Sequence, residues 1–154
     1  MNHIFTPRIF GGFGGPEIVI ILLAIGIGLL PKIFYLITLQ NTMNAVRPEF
    51  RKMPPGQVWL ELIPLFGIVW QFFNVTNVSD SLKLEFEARG MQTAEARPAY
   101  SIGLTFCILF CCSVIPILGA LAALGGLVCW IIFWVKIANY KADLQRNNPS
   151  KAIW

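Results

Sequence analysis

The sequence predicts an all-α fold: a polytopic membrane protein with about four transmembrane helices and cytoplasmic helical extensions. Three observations lead there. Of the 154 residues, 56% are hydrophobic and 13% charged, the latter about half the charged fraction of an ordinary soluble domain. The apolar residues are gathered into runs, and a spanning helix needs roughly 17 to 25 mainly apolar residues, so the length accommodates about four spans and little else. The whole chain, 1–154, therefore reads as a single membrane domain with no room for a separate catalytic domain.

Residues 1–16, which carry "GGFGGP", read as a flexible approach to the membrane; no strand precedes the glycines, as a phosphate-binding loop would require. The first span is predicted over 17–39. No small-residue cleavage site follows it, so it is expected to be retained. Its Pro31 removes the amide that would pair with the carbonyl of Ile27, bending the helix beside Lys32. "QNTMNAVRPEFRKMPPG", residues 40–56, combines charge with X-Pro and Pro-Pro-Gly steps and reads as a short extramembrane loop.

The second span is predicted over 57–75, with Glu61, Pro64 and Gly67 inside it, and its helix is expected to continue out of the membrane over 76–89. No breaker intervenes before Gly90, and Lys83 with Glu87 and Glu85 with Arg89 form i,i+4 pairs suited to an exposed helix. After a polar connection over 91–98, the apolar run 100–135 is too long for one span and short for two. It is read as a hairpin, with spans over 100–116 and 119–138 and a second helical extension over 139–147.

Four spans put the N-terminus, the 76–99 segment and the C-terminus on one side. That side carries Arg8, Lys83, Arg89, Arg97, Lys136, Lys141, Arg146 and Lys151, against Arg47, Arg51 and Lys52 on the other. The positive-inside rule then predicts that both termini are cytoplasmic. The net charge of +4 is scattered around apolar runs rather than gathered on a polar face, which speaks for orientation in a membrane and against nucleic acid.

"LIPLFGIVWQF" (62–72) returns in altered form as "VIPILGALAALGGLVCWIIF" (114–133). Aligning Trp70 with Trp130 also aligns Phe73 with Phe133, Val75 with Val135 and Leu84 with Leu144, while the two Ile-Pro-x-x-Gly elements match only after an eight-residue insertion in the second copy. Each copy reads as a proline-bent span leading into a cytoplasmic helix, the two running in the same direction. Chance matching within the small alphabet of membrane helices is the competing explanation.

The pattern resembles a group of small bacterial inner-membrane proteins that carry Ile-Pro-(Leu/Ile)-(Phe/Tyr)-Asn-x-x-Trp followed by a polar helical exit. The resemblance covers about 40–145, with "PPGQVWLELIPLFGIVWQF" and "CWIIFWVKIANYK" its most specific parts, and Gly67 stands where that group usually has Asn. It implies a bacterial four-span protein of the inner membrane and supplies no catalytic residues.

Lys32 and Glu61 are the charges embedded in the predicted spans, and an intramembrane charge is a candidate functional group because leaving it unpaired costs several kcal/mol. At 1.5 Å rise per residue both lie roughly 7 to 11 Å from the same predicted surface. They either form an ion pair joining the first two helices or snorkel separately; conduction through Glu61 would need a chain of acidic or His residues that the sequence lacks. Gly28, Pro64, Gly67, Pro116, Gly119 and Gly126 are candidate helix-packing positions. Trp59, Trp70, Trp130 and Trp134 are candidate interface anchors. Cys107, Cys111, Cys112 and Cys129 all lie in apolar sequence and read as packing residues, a thiolate metal site being the alternative.

No catalytic triad, paired catalytic carboxylates, Walker loop or haem-ligating His pair is apparent, and neither cofactor nor metal is expected. The expected function is that of a non-enzymatic accessory or scaffold subunit in a larger inner-membrane complex; the alternative is a small oligomeric transporter or channel. The expected partners are the lipid bilayer and either other membrane subunits or further copies of the chain.

Overall fold

A computed structural model describes residues 15–113, 115 and 119–147. Its regular structure is entirely helical among these residues. Helix α1 spans Gly15–Ala45, α2 Phe66–Ala88, α3 Tyr100–Cys112 and α4 Gly119–Arg146; two 3₁₀ segments, Pro48–Phe50 and Pro55–Leu62, lie between α1 and α2. The chain divides into two units, one ending at Phe34 and the other beginning at Tyr35.

In the first unit α1 runs through Pro31 without ending. Its described side chains are largely solvent-facing and apolar, among them Ile18, Val19, Ile20, Leu23, Leu29 and Leu30.

The breaks in the second unit follow its prolines. A proline ring crowds the residue before it out of the helical region toward extended backbone. Arg47 precedes Pro48 at ψ 144, Pro54 precedes Pro55 at ψ 139, and Ile63 precedes Pro64 at ψ 120. The segment 57–75, predicted as part of one helix, is therefore divided: 3₁₀ helix to Leu62, a turn through Leu65 at φ 64, and α-helix from Phe66 onward. Pro64 does not bend a helix; it separates two. Helix α2 then runs to a Schellman close, in which Gly90 at φ 65 donates to the carbonyl of Glu87 and Met91 donates to that of Phe86.

Contacts between 46–62 and α2 overturn the predicted alternation of sides. The amide and Nε of Arg47 donate to Glu85, the amide of Lys52 to Ser81 Oγ at 2.8 Å, and Asn74 Nδ2 to the carbonyl of Val58 at 3.3 Å. As the numbering rises from 47 to 58, the partner on α2 falls from 85 to 74. The segment runs back alongside α2, so 40–56 and 76–89 lie at one end of the unit, not on opposite faces. The assignment of both termini to one side rested on that alternation and loses its basis.

Ala45, Ala88 and Asn147 line one groove, so the C-terminal ends of α1, α2 and α4 share this polar end. Helix α3 runs the other way: Arg97 before it pairs with Asp80, and Ser113 after it lies against Gly119. Tyr35, Leu39 and Met43 of α1, Val75, Val78 and Leu82 of α2, and Phe133 and Ile137 of α4 form the buried core. Gly103 of α3 sits between Val75 and Phe133; a Cβ there would come within 2.6 Å of one and 2.8 Å of the other, which explains the missing side chain.

One helix among those described, α4, is long and apolar enough to cross a membrane, with a mean hydropathy of 2.1 over its best window and 22% of that window buried. Helix α3 is apolar but shorter.

Candidate functional site

Two polar features stand out in the second unit: a buried stripe on α2 and an arginine-lined groove at the polar end. The stripe consists of Gln71, Asn74, Ser81 and Glu85, each fully or nearly buried. Its origin is the irregular segment it covers. A stretch of backbone outside regular structure still has amides and carbonyls to satisfy when buried; Ser81 and Glu85 accept the amides of Lys52 and Arg47, and Asn74 serves the carbonyl of Val58. Nothing in the sequence analysis assigned Gln71, Asn74, Ser81 and Glu85 a shared role. Their helical spacing along one face was the available signal.

Glu85 had been read as half of an exposed pair with Arg89. It is fully buried, and it binds two arginines: Arg89 Nε donates at 2.6 Å and Arg47 Nε at 3.0 Å to Oε1, while the Arg47 amide donates to Oε2 at 3.0 Å. Burial by itself would raise its pKa, but the Arg47 amide and the two guanidinium groups outweigh burial and hold the carboxyl below its usual value. Arg89 continues across to the C-terminal end of α4, donating to the carbonyls of Leu144 and Asn147.

The groove, of about 510 Å³, is lined by Asn44, Arg47, Arg51, Arg89 and Asn147 with Ala45, Val46, Pro48 and Ala88. Arg51 is held by two carbonyls, those of Val46 (2.8 Å to Nε) and Asn44 (3.1 Å to Nη2).

The sequence-predicted positions are distributed as follows. Glu61 is nearly buried and accepts from Asn74 Nδ2; Lys32 belongs to the first unit. Gly67 and Gly119 open α2 and α4 in the same manner. A Cβ on Gly67 would lie 2.2 Å from the carbonyl oxygen of Glu61, and one on Gly119 would lie 2.6 Å from that of Ser113; in both cases the carbonyl belongs to the residue six positions earlier. A Cβ at Gly126 would meet Leu109 at 3.4 Å, an ordinary to tight contact, while one at Gly28 would meet nothing within 4 Å. Pro64 is exposed in its turn; Pro116 lies outside the described residues.

Burial does not follow the repeat alignment built on the tryptophans. With Trp70 set against Trp130, Phe73 is 51% exposed where Phe133 is buried, and Val75 is buried where Val135 is 53% exposed. With Gly67 set against Gly119 and no insertion, the pairs Asn74 and Gly126, Ser81 and Phe133, and Glu85 and Ile137 are buried in both copies. At that offset too Val75 is buried where Leu127 is 51% exposed, so the shared feature is the close approach of Gly67 and Gly119 to a carbonyl six positions earlier.

Three of the four predicted anchors have their indole N–H tied internally: Trp59 donates to Gln40 Oε1, Trp70 to the carbonyl of Gln57 and Trp134 to Thr38 Oγ1. Trp130 packs edge-on to Tyr35. Of the cysteines, Cys107 is buried and Cys111 exposed, and among the described residues no three His, Cys, Asp or Glu side chains gather as a metal site requires. Comparison with protein-family models, curated proteins and solved structures gives no match.

Proposed function

We propose that the chain is a non-enzymatic integral membrane protein, an accessory or scaffold subunit of a larger assembly in the bacterial inner membrane. The observation that carries this reading is the separation of its surface into two kinds. In the second unit large exposed apolar side chains occur at 62–73 and 108–135, while Arg47, Arg51, Lys52, Lys83, Arg89, Arg97, Lys136, Lys141 and Arg146 belong to the segments of the polar end. Such a division suits a lipid-facing body with one wet end, and the positive-inside rule favours a cytoplasmic position for that end.

The proposed layout differs from four simple crossings. Helix α1 is 31 residues long, about 46 Å at 1.5 Å per residue, which exceeds the roughly 30 Å hydrocarbon layer. The α3–α4 hairpin enters and returns from the polar end. The apolar start of α2, Phe66–Phe73, rises only about 10 Å, so the 3₁₀ helix and α2 form a re-entrant pair that dips into the roughly 30 Å hydrocarbon layer and comes back. Irregular backbone at membrane depth is tolerated where protein covers it, and the α2 stripe supplies that cover.

Glu61 as a buried partner of Asn74 supports a structural role for this carboxylate, which weakens the transporter or channel alternative. The test is purification of the tagged chain from its native membrane in a mild detergent, followed by sizing and mass spectrometry of what remains bound. Stoichiometric recovery with larger membrane proteins is the expected result; elution as a homo-oligomer alone would overturn the subunit reading and direct attention to flux assays.

A further inference from the structure

The geometry points to the groove between α1, α2 and α4 as a binding site for a phosphate group, gripped by Arg47, Arg51 and Arg89. Each guanidinium is fixed through its Nε: Arg47 and Arg89 on Glu85, Arg51 on the carbonyl of Val46. Anchoring from behind removes most of the rotamer freedom that an arginine otherwise loses on binding. The second anchored nitrogens, Arg51 Nη2 on Asn44 and Arg89 Nη1 on Leu144 and Asn147, leave Arg47 Nη2, Arg51 Nη1 and Arg89 Nη2 without an assigned acceptor among the described residues. Arg47 and Arg89 share one fully buried carboxylate, Glu85, the exposed Glu49 lies 3.7 Å from Arg47 Nη1, and Arg51 rests on the carbonyls of Val46 and Asn44.

A phosphate fits that inventory better than a carboxylate. Its three non-bridging oxygens accept from three separate guanidinium groups, whereas a carboxylate offers two and is matched by a single arginine fork. The amides of Asn44 and Asn147 at the rim suit the polar remainder of a phosphate ester. The phosphate has two possible sources, an anionic lipid headgroup and a soluble phosphate ester, and both present the same group to the arginines. The site rests on the second unit alone and is independent of whether a partner subunit exists.

The test uses the full chain purified in a neutral detergent. Its thermal unfolding is followed with dioleoyl phosphatidic acid or dioleoyl phosphatidylcholine in mixed micelles and, separately, with glycerol 3-phosphate, each at matched ionic strength. Saturable stabilisation by phosphatidic acid but not by glycerol 3-phosphate supports the site with a lipid source; stabilisation by glycerol 3-phosphate supports it with a soluble one. Arg51→Gln, which leaves the Glu85 cluster intact, should weaken the apparent affinity about tenfold, the loss expected for one charge-assisted contact, and Arg51→Lys should recover it only in part. Stabilisation by neither phosphate probe overturns the proposal. So does a phosphate response that Arg51→Gln leaves unchanged in protein that remains helical. A co-purification experiment that returned the chain without partners would leave these outcomes as they are.

Discussion

Glu85 is the residue on which the polar end converges, because one carboxylate closes two chain segments: Arg47 after α1 and Arg89 at the end of α2. Replacing it with Gln keeps the shape and removes the charge, leaving two guanidinium groups facing a neutral amide. The expected cost is about 2 kcal/mol, read as a lower midpoint of thermal unfolding in detergent. The sign of the pH dependence follows from the lowered pKa. A carboxyl whose folded value lies below its unfolded value contributes fully above the unfolded value and loses that contribution as pH falls through the folded one. Wild type should therefore lose stability on acidification below about pH 4.5, and Glu85→Gln should lose less over the same range. Glu61 invites a second measurement at this scale. Its replacement by Gln weakens the contact with Asn74 and should lower the unfolding midpoint.

Gly67 and Gly119 each stand at the start of a helix against a preceding carbonyl that any side chain would strike. Gly67→Ala and Gly119→Ala should each cost about 1 to 3 kcal/mol, since backbone must move to admit the new methyl group. Gly125→Ala, whose Cβ would meet only Leu109 Cδ1 at 3.5 Å, should cost less than 1 kcal/mol, roughly the size of the helix-propensity gain that opposes it. Equal losses at all three positions in thermal melts would remove the special status of Gly67 and Gly119. The Ile-Pro-x-x-Gly motif itself was legible in the sequence, as was Gly90 as a stop for α2. The division of 57–75 was not, because apolar content is the same in a 3₁₀ turn and in a helix, and the signal against continuity lay only in the residues preceding proline. The tryptophans misled the alignment for a related reason: they are conspicuous, but burial follows the face of the helix, and Val75 and Val135 occupy different faces. The contact of Arg47 with Glu85 joins residues far apart in sequence, with no periodic pattern to announce it. The arginine groove was hidden with it, since Arg47 and Arg51 had been assigned to the opposite side from Arg89.

At the scale of the whole molecule, the competition is between alternating crossings and a re-entrant arrangement. Hydropathy identifies which segments are apolar, not the direction in which each leaves the lipid, and short apolar segments such as 57–73 are compatible with both. The hydrogen bond from the Lys52 amide to Ser81 decides the local geometry, because two residues joined at 2.8 Å cannot stand on opposite faces of a bilayer about 30 Å thick. The consequence for the cell membrane is measurable with single cysteines. In a chain whose four native cysteines are replaced by alanine, Lys52→Cys and Lys83→Cys place a thiol at two solvent-facing positions of the polar end. A membrane-impermeant maleimide should label both in inverted vesicles and neither in intact spheroplasts, because a cytoplasmic polar end exposes both on the same face. Labelling of Lys52→Cys in spheroplasts and of Lys83→Cys in inverted vesicles would restore four alternating spans, and it would require the 46–62 segment to leave α2, breaking the contacts of Arg47 and Lys52 together.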